Sequence, residues 1–321
     1  ADFTAWLGIY QLLSGRLILL FMFSSSFFGG AITSISEAYS AGKQKLTQYY
    51  VARWFQFGYL FMFTILSIIV ALGPAFIRSL GPQWERAIPY IGLALGYGVL
   101  FPFAWVCDNL QFGADRPGTN MLVMFVEQGT RLALFWLLVP HWQLAGIFLA
   151  TWGGLIMKAI VGWTINHKWI VPFRLALWPT FGASVLAAAS NWLLWSAVVW
   201  LVAPTSNLAV LTLMCVASAL SFFLTFFVYG LAGGCDEYAL VELAQAAAMA
   251  TVTRSIVAAL NTCAQVGSRW ALIAARPFDL AGAAWEEAAA LDATAAAALS
   301  PQSLPPPSAP PPTPDLVEAL A

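Results

Sequence analysis

Long apolar runs separated by short polar connections recur along the first 231 residues of the chain. Seven runs approach or exceed the roughly 20 residues that carry a helix across a bilayer. They cover about 9–33, 50–77, 88–112, 121–139, 144–165, 178–202 and 208–231. The alternating ten-residue pattern of a membrane β-barrel is absent from them. The pattern therefore predicts an all-α membrane protein with about seven transmembrane helices. Residues 34–54, SISEAYSAGKQKLTQYYVARW, connect the first two runs. Their Lys43 and Lys45 cannot sit in hydrocarbon, so this stretch marks a membrane surface.

Composition agrees with the pattern. The chain is 60% hydrophobic and only 9% charged over 321 residues, with a mean hydropathy of +0.77. A soluble domain carries about 25% charge to meet water. The fifteen Trp and nine Tyr suit the headgroup level, where amphipathic rings collect. A net charge of −1 conceals an asymmetry. Residues 1–232 hold 11 Lys/Arg against 6 Asp/Glu, a net of +5, and residues 233–321 hold 3 against 9, a net of −6. Counting loops in order, the odd ones carry 5 Lys/Arg and the even ones 2. Positive charge favours the cytoplasmic side, so the expected location is the cell membrane, multi-pass, with the tail cytoplasmic.

Three regions follow. Residues 1–232 are the expected transmembrane domain. Residues 233–260 are expected to form a cytoplasmic amphipathic helix, with Leu240, Leu243, Ala247 and Met249 on one face. Residues 261–321 are Ala/Pro-rich, with eight Pro between 301 and 314. They are expected to be a disordered low-complexity tail with polyproline-II character. The four Cys form no CxxC pair and read as small hydrophobes. The chain opens Ala-Asp-Phe without Met or a basic leader, the pattern expected of a fragment or a processed chain.

No catalytic constellation, metal-ligand spacing or phosphate-cradling loop is visible, so neither enzymatic activity nor a cofactor is expected. Charges inside the apolar runs are more informative, because each is expensive in hydrocarbon. They are Arg16, Arg53, Asp108, Glu127, Arg131 and Lys158. Glu127 and Arg131 stand four apart in the favourable acid-first order. They either neutralise each other in a helix interface or line a cavity. Arg16 and Lys158 have no acid four residues away and either snorkel to the nearest face or enter the same cavity. Asn109, Gln111, Gln128 and Asn191 are candidate partners for sugar hydroxyls. Pro102, in the middle of the third run, is either a hinge or a static kink.

The sequence around residue 35, ISEAYSAGKQKLTQYY after an apolar run, resembles the link between paired helices in polysaccharide and oligosaccharide flippases. These belong to the multidrug/oligosaccharidyl-lipid/polysaccharide transporter superfamily. Similar stretches follow in order: Ile77-Arg78-Ser79-Leu80-Gly81 with Trp84 and Ala87, the turn Gly113-Ala114-Asp115-Arg116-Pro117, and Val139-Pro140 before Leu144–Thr151. Gly233-Gly234-Cys235-Asp236-Glu237 with Leu240 and Glu242 resembles the acidic cytoplasmic helix that closes some members. The resemblance covers roughly residues 9–245. It implies the second lobe plus two terminal helices of such a flippase, with the first lobe missing. It also implies translocation of glycans linked to a polyprenyl phosphate or diphosphate, in contact with membrane lipids and a partner N-terminal lobe. Nucleic acid has no place in it. Arg16, Arg53, Asn109, Glu127, Arg131 and Lys158 are the expected substrate-cavity residues.

Competing readings are a drug/cation antiporter of the same superfamily, a membrane-embedded glycan polymerase or glycosyltransferase, and a non-functional half-transporter. The antiporter favours acidic cavity residues. The polymerase requires a sizeable outer loop, whereas the even loops here are short. The topology is directly testable. In a Cys-free background, a single Cys at Lys43 should label only from the cytoplasmic side and one at Arg86 only from the opposite side. Labelling of position 43 from outside would invert the orientation.

Overall fold

The computed structural model of the chain describes residues 3–16, 30–172, 174–204, 206–249, 253–275 and 278–298. These residues form helices and no strands. Helix α1 (Phe3–Tyr10) runs into a π-helical turn, Gln11–Arg16, and α2 (Gly30–Ser40) follows. Helix α3 spans Gln44–Ser79 and a 3₁₀ segment, Pro82–Tyr90, leads into α4 (Ile91–Gly113). The longest helical stretch is α5 (Pro117–Trp169). A π-helical turn, Trp178–Gly182, opens α6 (Ala183–Val202), and α7 (Asn207–Leu231) follows. Helices α8 (Glu237–Met249), α9 (Arg254–Arg269) and α10 (Ala281–Ala298) complete the described chain.

Five stretches among the described residues are long and apolar enough to cross a membrane, and the chain is a multi-pass helical membrane protein. The expected count of about seven is not reproduced as seven separate helices. The first expected span runs through residues 17–29, which lie outside the described residues. The fourth and fifth are continuous in α5, broken only where Gln143 takes φ 47° and ψ −122°. Beyond that break the chain folds back on itself. A methyl at Gly146 would lie 2.7 Å from the Leu138 carbonyl oxygen, one at Gly154 3.0 Å from that of Glu127, and one at Gly162 3.2 Å from Val123 Cγ1. Partners that descend in number as the glycines ascend define an antiparallel hairpin with legs 117–142 and 144–169. Small residues let two backbones approach closely where hydrocarbon supplies no hydrophobic drive.

Helix α3 is the centre of the bundle, with most of its apolar length buried against its neighbours. Aromatic rings fill the space around it. Phe55 packs on Trp163 at 4.9 Å between ring centres, and Tyr59 on Phe181 at 4.6 Å. By contrast α6, α7 and the first leg of α5 present Leu, Phe and Trp outward, including Phe125, Trp136, Leu193 and Trp200. Such faces suit acyl chains and not water. Helix α4 runs parallel to the second leg of α5. The Trp152 indole donates to the Leu93 carbonyl and that of Trp163 to the Phe103 carbonyl, at 2.9 and 3.0 Å. Pro102 removes a donor from α4, yet the helix continues from Ile91 to Gly113. Neighbouring groups cover the carbonyls beside it: Tyr59 Oη donates to Val99 and Trp163 to Phe103.

The chain beyond residue 260 departs from the expected disordered tail, and residues 261–298 are largely helical. Alanine has the highest helix propensity, so an Ala-rich stretch becomes a helix once it finds a surface. Helix α9 packs on α7 where Gly230 and Gly267 allow close approach, and a methyl at Gly267 would lie 2.1 Å from the Phe227 carbonyl oxygen. Helix α10 docks on the start of α3 through Ala281, Ala284 and Trp285. The proline block lies outside the described residues. Gly267→Ala should therefore cost about 1–3 kcal/mol through overpacking. Gly118→Ala, whose new methyl meets nothing within 4 Å, should be neutral or stabilising by up to about 1 kcal/mol. Thermal unfolding of the purified variants in detergent compares them. Equal midpoints would show that α7 and α9 are not in close contact.

Candidate functional site

Four ionisable side chains from α4 and both legs of α5 meet inside the bundle. Lys158 Nζ lies 2.8 Å from Asp108 Oδ2 and 3.1 Å from Glu127 Oε2. Arg131 donates to Glu127 Oε1 at 2.7 Å. Asn120 Nδ2 donates to the remaining Asp108 oxygen at 2.8 Å. Two cations and two carboxylates balance, with Lys158 at the centre. Its side chain is 5% exposed and that of Glu127 7%, whereas Asp108 and Arg131 stand at 24% and 25%. Tyr97 is within electrostatic reach of all four.

The backbone explains the convergence. Glu127 and Arg131 share a face of the first leg because they are one helical turn apart. The glycines of the second leg bring Lys158 against that face, since a methyl at Gly154 would lie 3.0 Å from the Glu127 carbonyl oxygen and 3.2 Å from Arg131 Cβ. Asp108 and Asn120 flank the short turn between α4 and α5, which places them side by side. Glu127 lies ten residues from one end of α5 and Lys158 eleven from the other, about 15 Å into the bundle in each case. Burial of charge at that depth is tolerated only with a partner. Arg131 Nε remains buried without a hydrogen-bond partner among the described residues, so one donor of the cluster is unused.

The other expected cavity residues lie elsewhere. Arg16 closes the described part of the first helix, and its side chain lies outside the described residues. Arg53 is not an open, hydrated cation. It is 7% exposed, and all three of its nitrogens are engaged. Nε donates to Tyr49 Oη at 2.9 Å, Nη1 to Gln56 Oε1 at 2.7 Å and Nη2 to Asp236 Oδ1 at 2.5 Å. Glu242 stands 3.4 Å from its Nε. Asp236 also accepts from the Ala239 amide, capping α8, and from the Phe278 amide. Burial pushes the Glu242 carboxyl up, against the opposing pull of Arg53. The neighbouring Cys235 thiol is pushed up to about 12 by burial and by the Asp236 carboxylate.

Among the proposed sugar contacts, Asn109, Gln111 and Asn191 are buried. Gln111 donates to Asn166, and Asn191 to Thr225. Gln111 and Asn191 are thus engaged at different helix contacts. Lys158 does not snorkel free to the surface, because two acids hold it. Its pairing spans 50 residues for Asp108 and 31 for Glu127, beyond any helical spacing rule. The contribution of Asn120 was legible in principle, since a short turn brings its flanks together. Among the described residues no three His, Cys, Asp or Glu side chains converge as a metal site requires.

Two measurements probe these clusters. Lys158→Met removes the central cation, leaving Asp108 without an ion partner and the buried Glu127 with Arg131 alone. It should destabilise the protein by about 3–5 kcal/mol, and adding Asp108→Asn should recover part of that loss. Unfolding midpoints that simply add would show that Lys158 and Asp108 do not interact. At the tail, Cys235 should resist a water-soluble maleimide near neutral pH. Asp236→Asn should loosen the tail and expose the thiol, raising the labelling rate by at least about tenfold. An unchanged rate would mean that Asp236 does not hold the tail.

Comparison with known proteins finds no family, curated sequence or solved structure that matches the chain, so its resemblance to flippases rests on the quoted residues alone.

Proposed function

We propose that this chain is part of a membrane transporter that moves lipid-linked oligosaccharide or polysaccharide units across the cytoplasmic membrane. The observation that carries this reading is the neutral Asp108–Glu127–Arg131–Lys158 cluster within membrane-length helices. Ionisable groups at such depth mark transport pathways, because a purely structural contact is met more cheaply by apolar residues. A phosphate or diphosphate between lipid tail and sugar needs cations in place of its water. Lys158 and Arg131 supply two, each held ready by a carboxylate. The phosphate competes with those carboxylates, and the cations exchange partners as it passes. Asp108 and Glu127 then act as place-holders that keep the cations tolerable in the empty site.

In the full-length protein, within a cell whose surface glycan depends on it, Lys158→Gln should reduce surface glycan at least about tenfold. Lipid-linked precursor should accumulate on the cytoplasmic side. Lys158→Arg, which keeps the charge, should retain part of the export. Normal export by Lys158→Gln at wild-type expression would overturn the reading. The two carboxylates favour one alternative, a proton-coupled drug/cation antiporter of the same superfamily. There Asp108→Asn would abolish proton-coupled efflux of a cationic dye while glycan export stayed normal.

A further inference from the structure

A cavity of about 920 Å³ opens at the end of the bundle where α3 and α6 begin and where α5 and α7 end. It shares no residue with the intramembrane charge cluster. Its polar side chains are Gln48 near the start of α3, His167 at the end of α5, Arg174 in the connection to α6, and Asp279 just before α10. Its apolar walls include Leu175 and Ile273. Leu177 and Trp178 also line it and are exposed, as is Trp169 two residues beyond His167. Tryptophans at helix ends mark the headgroup level of a bilayer.

The walls are fixed by the protein itself. The Trp178 indole donates to the Ala232 carbonyl at 2.9 Å, and the Leu272 amide to the Leu231 carbonyl at 2.9 Å. Gly233 has φ +71°, and a methyl there would lie 2.2 Å from the Ile273 carbonyl oxygen. The segment carrying Ile273 therefore lies directly on the end of α7. Next to it Trp270 and Leu272 are 73% and 82% exposed, an apolar surface beside the cavity mouth.

We propose that this cavity binds the head group of a zwitterionic phospholipid whose chains follow the apolar wall into the bilayer. The lining carries one guanidinium, Arg174, and one carboxylate, Asp279. Neither forms an ion pair among the described residues. A phosphate accepts from Arg174, and a primary ammonium donates to Asp279. A head group without the ammonium meets the carboxylate uncompensated. Volume and chemistry agree with this occupant, since small-molecule sites span about 300–1,000 Å³ with a few polar groups in an apolar frame.

Native mass spectrometry of the purified full chain, delipidated and then titrated with single lipids, tests the assignment. Phosphatidylethanolamine should be retained about tenfold better than phosphatidylglycerol of the same chains. Arg174→Gln should reduce retention of both. Asp279→Asn should lower phosphatidylethanolamine selectively and so narrow the gap. Arg78→Gln, at the opposite end of α3, should change neither. Equal retention of the two lipids by the wild type would overturn the zwitterionic assignment, as would an Asp279→Asn variant with an unchanged gap. Unaltered retention in Arg174→Gln would remove the cavity from lipid binding altogether. Glycerophosphoethanolamine or inorganic phosphate bound as tightly as the lipid would identify a soluble ligand and overturn the membrane source.

Discussion

A single buried guanidinium organises one end of this protein. Arg53 sits nine residues into the central helix, where water is scarce and a lone cation would be costly. Its environment answers with Tyr49, Gln56 and Asp236, and Glu242 stands close by. Each partner carries a second duty. Gln56 also holds Tyr229 and the Gly234 carbonyl, Asp236 caps α8, and Tyr49 accepts from Trp285 of α10. The need to satisfy one charge therefore ties α3, α7, α8 and α10 into one unit. Such networks hold together when every member is paired and fail together when one is lost.

The second charged cluster obeys the same electrostatics with looser closure. Asp108 and Arg131 remain about a quarter exposed, and one Arg131 donor is unused. The Arg53 node is saturated and welds elements together, whereas the Lys158 node retains spare capacity and partial access. That contrast marks Arg53 as a fully paired structural charge and leaves the Lys158 cluster with an unused donor.

Much of the architecture is legible in hydropathy. The membrane-length runs, the turn at Pro140–Gln143 and the Glu127–Arg131 pair follow from composition and helical spacing. Other features are not. The partners of Lys158 lie 31 and 50 residues away, so only the packing of α4 against the α5 hairpin reveals them. Asp236 and Arg53 are separated by 183 residues. The Ala-rich segment reads as low complexity because small side chains give no periodic signal. In the fold those same small side chains let α9 and α10 lie close to their neighbours. Trp285, the one large ring in α10, is the anchor that composition alone obscures.

The distance between Arg53 and Asp236 along the chain also has a consequence for biosynthesis. Helix α3 enters the membrane while the codons for Asp236 and Glu242 are still untranslated. At a synthesis rate of about 5–20 residues per second, Arg53 waits roughly ten seconds or more for its carboxylates. During that interval it must be sheltered by headgroup phosphates, by the insertion machinery or by water at the membrane edge. The final closure of this end of the bundle is consequently a late step, completed only when the last helices emerge and dock.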